Sequence, residues 1–258
     1  MNDEKDLKSN AVKVLEDDCA RKINFHLGGL HVSGDGLGDV AGAIGRGDIK
    51  VARDSSLGPD AEYDAKKNTL TIKAPDFENP EFRSLIVHES VHALIDMGKA
   101  KDVRRLTGEA AAYLAQAIYL WHKIGDVRLR ANTKQQLLSS EASKKELGRI
   151  YQVCLNLITR YKLAELTKGR TSVFLPPSLY QHLLEAIKGH NKYQHIPWEQ
   201  KVYADGIEPR STGSARPKGG GSISRATGFR KAGPVGLTDS QESSGGRSSR
   251  KPGPTGMA

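Results

Sequence analysis

His88-Glu89-Ser90-Val91-His92 lies inside an otherwise apolar stretch, and its reading decides the rest of the chain. Two histidines four residues apart share one face of an α-helix, about one turn from each other. That spacing lets both imidazoles bind one tetrahedral metal ion. The intervening glutamate sits beside that face, within reach of a metal-bound water that it can deprotonate. The surroundings fit a helix. Asn79-Pro80 reads as an N-cap followed by proline at the first helical position. Phe82, Leu85, Ile86, Val91, Leu94, Ile95 and Met97 recur at helical spacing, and Gly98 is a stop signal. Two histidines and a glutamate in so apolar a run would be costly core residues without a metal.

A catalytic zinc site keeps three protein ligands and an open fourth position. Glu109 is the candidate third ligand. It follows a polar, basic loop, Gly98 to Thr107, and opens the alanine-rich run Glu109 to Gln116. Alanine favours helix, and its small side chain lets a second helix pack closely on the first. Asp96, Asp102 and His122 are alternative ligands. Asp96, one turn beyond His92, also suits a carboxylate that accepts an imidazole N–H behind the metal. An oxyanion donor is not singled out; Tyr113, Tyr63, Tyr193, His190 and His195 are the candidates.

Together His88, Glu89, His92 and Glu109 resemble the gluzincin branch of the HExxH zinc metallopeptidases, over roughly residues 60 to 122. The resemblance extends to no particular family within that branch. It implies His88, His92 and Glu109 as zinc ligands, with peptide-bond hydrolysis by a zinc-bound water that Glu89 activates. It also implies a sheet before the metal helix whose edge strand pairs with an extended protein or peptide substrate. Better-known members carry an acid one turn after the glutamate ligand. Here Tyr113 takes that place, as a hydrogen-bond donor near the metal. The expected architecture is α+β and zincin-like: a small N-terminal sheet, a zinc-binding helix pair, a mainly helical C-terminal part and a tail.

Residues 1–208 are expected to form the metallopeptidase domain. From Pro209 to Ala258 the chain is dominated by Gly, Ser, Arg, Lys and Pro, too poor in apolar side chains to offset its ordering entropy, so a disordered tail is expected. That tail holds nine basic residues against Asp239 and Glu242. It supplies +7 of the net +9 and leaves the first 208 residues at +2. A basic arm suits contact with nucleic acid or an acidic partner. With Phe229 as its one aromatic, it lacks the stacking residues of a sequence reader. Cys19 and Cys154 form neither a metal spacing nor a disulfide framework. No apolar run approaches the roughly 18 residues of a membrane span. Met1 to Lys13 is polar and acidic, unlike a signal peptide. The expectation is cytoplasmic, with export lacking a cleaved signal left open.

Ahead of the motif, Ile49 to Arg53 and Thr69 to Lys73 alternate as half-buried strands. Asp64 to Asn68 reads as the turn joining Glu62-Tyr63 to the second of them. Gly34 to Gly47 is glycine-rich and is expected to be a mobile loop. Its partial match to a dinucleotide fingerprint, Gly36 to Ala41, lacks a surrounding βαβ unit. Downstream, Leu147, Ile150, Tyr151, Cys154, Leu157, Ile158 and Tyr161 mark one helix with a serine-rich start near Ser139 and Ser140. Pro176-Pro177-Ser178 opens another, which stops at Gly189. Both are expected to form the far wall of the cleft, with His190 to Tyr203 lining it or capping the domain.

Two functions are compatible with these residues. One is a zinc metallopeptidase with a basic tail. The other is a non-catalytic binding protein on a zincin scaffold whose tail makes the contact. The intact Glu89 favours the enzyme, since a structural metal needs no base.

Overall fold

The metal-motif helix forms as its capping residues dictate. In the computed structural model, which describes residues 3–123, 142–161, 163 and 172–207, helix α4 spans Pro80–Met97. The Asn79 side chain accepts the Glu81 N–H at 2.8 Å, proline occupies the first turn, and Gly98 follows the last residue. Helix α5, Arg105–Lys123, begins one turn before the alanine run, so Glu109 lies in its second turn. Ala110, Ala111, Ala112 and Ala115 are all fully buried. Where the two helices meet, a Cβ on Gly108 would lie 3.3 Å from Ile95 Cδ1. Small residues therefore bring α5 hard against α4.

Among the described residues the architecture is α+β, with two three-stranded sheets rather than the single small sheet expected. One holds β1 (Asn24–Leu27), β2 (Leu30–Ser33) and β6 (Val173–Leu175), in the order β2-β1-β6, so it recruits a strand from late in the chain. The other holds β3 (Lys50–Arg53), β4 (Ala61–Asp64) and β5 (Thr69–Ile72), in the order β3-β5-β4. The expected hairpin is present as the antiparallel β4–β5 pair, with Tyr63 opposite Leu70. Asn68 ends its turn at φ 48°, a left-handed conformation that asparagine tolerates better than most residues. β3 pairs parallel with β5, which leaves β4 at an edge.

The glycine-rich segment is a helix, not a mobile loop. α3 spans Gly34–Arg46, capped by the Ser33 hydroxyl, which accepts the Gly36 N–H at 3.1 Å. Leu37, Val40, Ala41 and Ile44 form its buried face. Two of its glycines are packing residues: a Cβ on Gly34 would lie 2.5 Å from the Arg21 backbone, and one on Gly36 would lie 3.1 Å from Leu94 of α4. α3 joins strands of different sheets, so no βαβ unit forms and the dinucleotide fingerprint fails on context.

Helices α1 (Asp3–Leu15) and α2 (Asp18–Arg21) precede the first sheet. Asp17 ties them to the centre: one carboxylate oxygen caps α2, while the other accepts from Arg83 of α4 at 2.9 Å and Tyr119 of α5 at 2.8 Å. Helices α6 (Ala142–Arg160) and α7 (Pro177–Lys188) pack against α5 and each other. The expected serine-rich start and the 209–258 tail lie outside the described residues. No described helix is long and apolar enough to cross a membrane.

Candidate metal centre

Helical spacing sets His88 and His92 on one face of α4, and the close approach of α5 brings Glu109 to them. Glu109 Oε2 lies 3.6 Å from His88 Nε2 and 3.7 Å from His92 Nε2. Four ligands at about 2.0–2.1 Å around a tetrahedral ion are separated by about 3.3–3.4 Å. Both Glu109–histidine separations therefore lie within a few tenths of an ångström of that value, and the three donors, all within 4.8 Å of one another, form a group that could hold a metal ion. Two imidazole nitrogens and one carboxylate oxygen make a set that suits zinc and other divalent first-row metals alike.

Hydrogen bonds fix which nitrogen of His88 is available. Ser84 Oγ donates to the Glu81 carbonyl at 2.6 Å, so its lone pairs accept the Gln116 side-chain N–H at 3.3 Å. That leaves the Gln116 Oε1 turned toward His88 Nδ1, at 3.1 Å. An amide oxygen can only accept, so the proton of neutral His88 resides on Nδ1 and the Nε2 lone pair faces Glu109. Ser84, His88 and Gln116 are all buried. Tyr113 presses its ring on the His88 imidazole, edge to face at 4.6 Å.

Glu109 Oε2, the oxygen nearest both histidines, also accepts the Tyr193 hydroxyl at 3.0 Å. Tyr113 and Tyr193 share a further hydrogen bond at 3.1 Å. Tyr113 thus acts on the ligand through Tyr193, and Tyr193 is fully buried rather than facing substrate. Burial opposes charge on both Glu109 and His92. Their mutual attraction outweighs it, holding the Glu109 carboxyl well below the usual range and raising the His92 imidazole.

Asp96 corrects an expectation. Its carboxylate accepts from the Tyr63 hydroxyl at 2.8 Å and the Gly206 N–H at 3.0 Å, so it ties the hairpin and the 200–207 segment to α4 instead of orienting an imidazole. Gln116 takes the imidazole. Asp102 is exposed and pairs with Lys201, and His122 is outside the metal-holding group.

The three donors open on a cleft of about 410 Å³, lined also by Glu89, by Ala61, Glu62 and Tyr63 of edge strand β4, and by Lys192 and the 200–203 segment. No described side chain of α6 or α7 lines it, contrary to expectation, whereas part of His190 to Tyr203 does. Two backbone bonds, Arg105 N–H to the Gln200 carbonyl at 2.6 Å and Val202 N–H to the Val103 carbonyl at 2.9 Å, fasten that segment beside α5. Glu89 Oε2 accepts the Tyr63 N–H at 2.9 Å.

Comparison with protein-family models, curated proteins and solved structures returned no match for this chain.

Proposed function

We propose that the chain is a zinc-dependent metallopeptidase of gluzincin type with a zincin-like fold. The observation that carries the reading is Glu89. Its carboxylate shares the cleft with the three candidate ligands and hydrogen-bonds to the strand at the cleft's edge. A structural zinc site closes its fourth position and needs no base, whereas this one opens on solvent-accessible space beside a carboxylate.

His88, His92 and Glu109 would hold the ion, with Gln116 and Tyr193 orienting two of them. When bound, zinc supplies Lewis-acid polarisation of a water and of the scissile carbonyl. Glu89 takes a proton from that water as its oxygen bonds to the carbonyl carbon. It then returns the proton to the leaving amine nitrogen as the C–N bond breaks, so acid and amine are released with water consumed. The bond from Tyr63 N–H occupies one Glu89 oxygen and fixes the carboxylate, which leaves the other for proton transfer. In the antiparallel β4–β5 pair, alternate residues turn their backbone groups away from the partner. Tyr63, whose N–H reaches Glu89, is one of these, and Ala61 is the next. Glu89 takes the Tyr63 N–H, so an extended peptide adding to this edge would pair through the remaining outward groups and lie beside Glu89.

The test is hydrolysis of an unbiased peptide mixture by the zinc-loaded protein and its Glu89→Gln variant. The wild type is expected to cleave, and the variant to keep stoichiometric zinc while losing activity by several orders of magnitude. A variant that stays active removes Glu89 from the role; a wild type that cleaves nothing overturns the peptidase reading.

A further inference from the structure

The cleft carries more positive charge than its chemistry uses. Once Glu89 and Glu109 are assigned, the charged side chains on its wall are Arg105, Lys192 and Lys201 against Glu62 alone. Lys201 is already paired with Asp102 at 3.0 Å, and Arg104, next to Arg105, with Glu199 at 3.1 Å. Arg105 is different: it is half-buried, lines the cleft, and forms no ion pair among the described residues. It also lies one helical turn before Glu109 on α5, at the i, i+4 spacing that places two side chains on the same face about 6 Å apart. Its backbone is anchored by the bond to Gln200, which fixes the point from which the guanidinium projects.

A partly desolvated guanidinium with no ion pair among the described residues, beside a hydrolytic centre, is a ready partner for a carboxylate. Its planar fork binds both oxygens at once, which a lysine cannot do. We infer that Arg105 binds a carboxylate of the substrate, with Lys192 on the same wall adding to the positive charge that attracts it. This inference rests on the peptidase reading and specifies its substrate class: peptides carrying an Asp or Glu side chain, or their own C-terminal carboxylate, close to the scissile bond. Arg105 is on this account a specificity-determining residue and not part of the proton transfer, so it acts chiefly on KM.

The full-length, zinc-loaded protein is given a degenerate peptide mixture in two arms, with free and with amidated C-termini. Cleavage close to Asp or Glu in both arms assigns the side-chain carboxylate; cleavage lost on amidation assigns the chain terminus. A charge-assisted hydrogen bond at a half-exposed site is worth about tenfold in binding. Arg105→Gln is therefore expected to raise KM about tenfold on carboxylate substrates, with kcat little changed and neutral peptides unaffected. Arg105→Lys recovers part of the loss. Equal cleavage of neutral and acidic peptides overturns the inference, as does an Arg105→Gln effect confined to kcat. If the wild type cleaves nothing, the peptidase reading fails by itself. Equilibrium binding of the same peptides to wild type and Arg105→Gln then decides the carboxylate site. Both proteins carry the same basic tail, so only the difference between them counts: weaker binding of acidic peptides by the variant supports the site, and equal binding removes it.

Discussion

Replacing Gln116 with leucine tests whether the buried relay behind His88 poises the site for metal. The relay runs from the Glu81 carbonyl through Ser84 and Gln116 to His88 Nδ1. Leucine keeps most of the volume and removes the acceptor. Ser84 loses little, since its hydroxyl still donates to Glu81. The consequence for His88 depends on the metal. Without it, the imidazole can move its proton to Nε2, which lies 3.6 Å from the Glu109 carboxylate, and so recover a partner. With zinc on Nε2, the proton must stay on Nδ1, buried and without an acceptor. An unsatisfied buried donor costs about 1–3 kcal/mol. Because that cost falls on the metal-bound state alone, zinc affinity should drop about 5- to 150-fold, in the range expected for partners of zinc-bound histidines. Competition with a chromogenic chelator measures this, and thermal unfolding of the metal-free proteins provides the control. An unchanged affinity, or a loss of metal-free stability large enough to account for the drop, would refute the reasoning.

Three further outcomes are expected. Gly34→Ala puts a Cβ 2.5 Å from the Arg21 backbone, which cannot swing aside. The cost is roughly 3 kcal/mol, the upper end for overpacking, and a midpoint lowered by roughly 6–12 °C; an unchanged melting curve would show that α3 is not held so tightly. Burial opposes charge on His92, but Glu109, 3.7 Å away, outweighs it, so the ring titrates above the ordinary histidine range. This pairing stabilises the metal-free protein below about pH 6.5, and the contribution is lost as pH rises through the raised folded value. Zinc must expel that proton, so affinity should fall by up to about tenfold per unit of acidification. Titration calorimetry in buffers of different ionisation enthalpy detects the released proton, and its absence would contradict the pairing. Finally, residues 1–208 without the basic tail should retain one zinc and Glu89-dependent hydrolysis, because every residue of the described site precedes residue 208; loss of both would move the function to the tail.

What could be read from sequence was what local rules govern. The Asn79-Pro80 start of α4, the pairing of His88 with His92, the hairpin turn at Asn68 and the opening of α7 at Pro177 each depend on neighbours within one turn. Glu109 was accessible because an alanine-rich helix announces close packing. The misses required tertiary information. Gly34 and Gly36 look like loop residues until the Arg21 backbone and Leu94 are seen where their Cβ atoms would be. β6 joins the first sheet as a parallel neighbour of β1 from some 146 residues away, as the contact between His26 and Ser172 shows. Gln116 could have been found: it lies seven residues after Glu109, on the same face of α5, and an amide in an apolar helix needs a partner. Tyr193 was among the candidate donors, but its target was not legible, because nothing local aims a tyrosine in an irregular segment at a carboxylate 84 residues away. Asp96 had the right spacing for an imidazole partner, yet helix rotation turns it to the hairpin and Gly206.

The most direct test of the account is X-ray absorption at the zinc edge of protein loaded to one ion per chain. His88, His92 and Glu109 as ligands predict two imidazole nitrogens at about 2.0–2.1 Å with the remaining light-atom scattering from oxygen at about 2.0–2.2 Å, and Glu109→Ala should lose the bound ion. Sulfur scattering at about 2.3 Å, or failure to take up zinc at all, would contradict it.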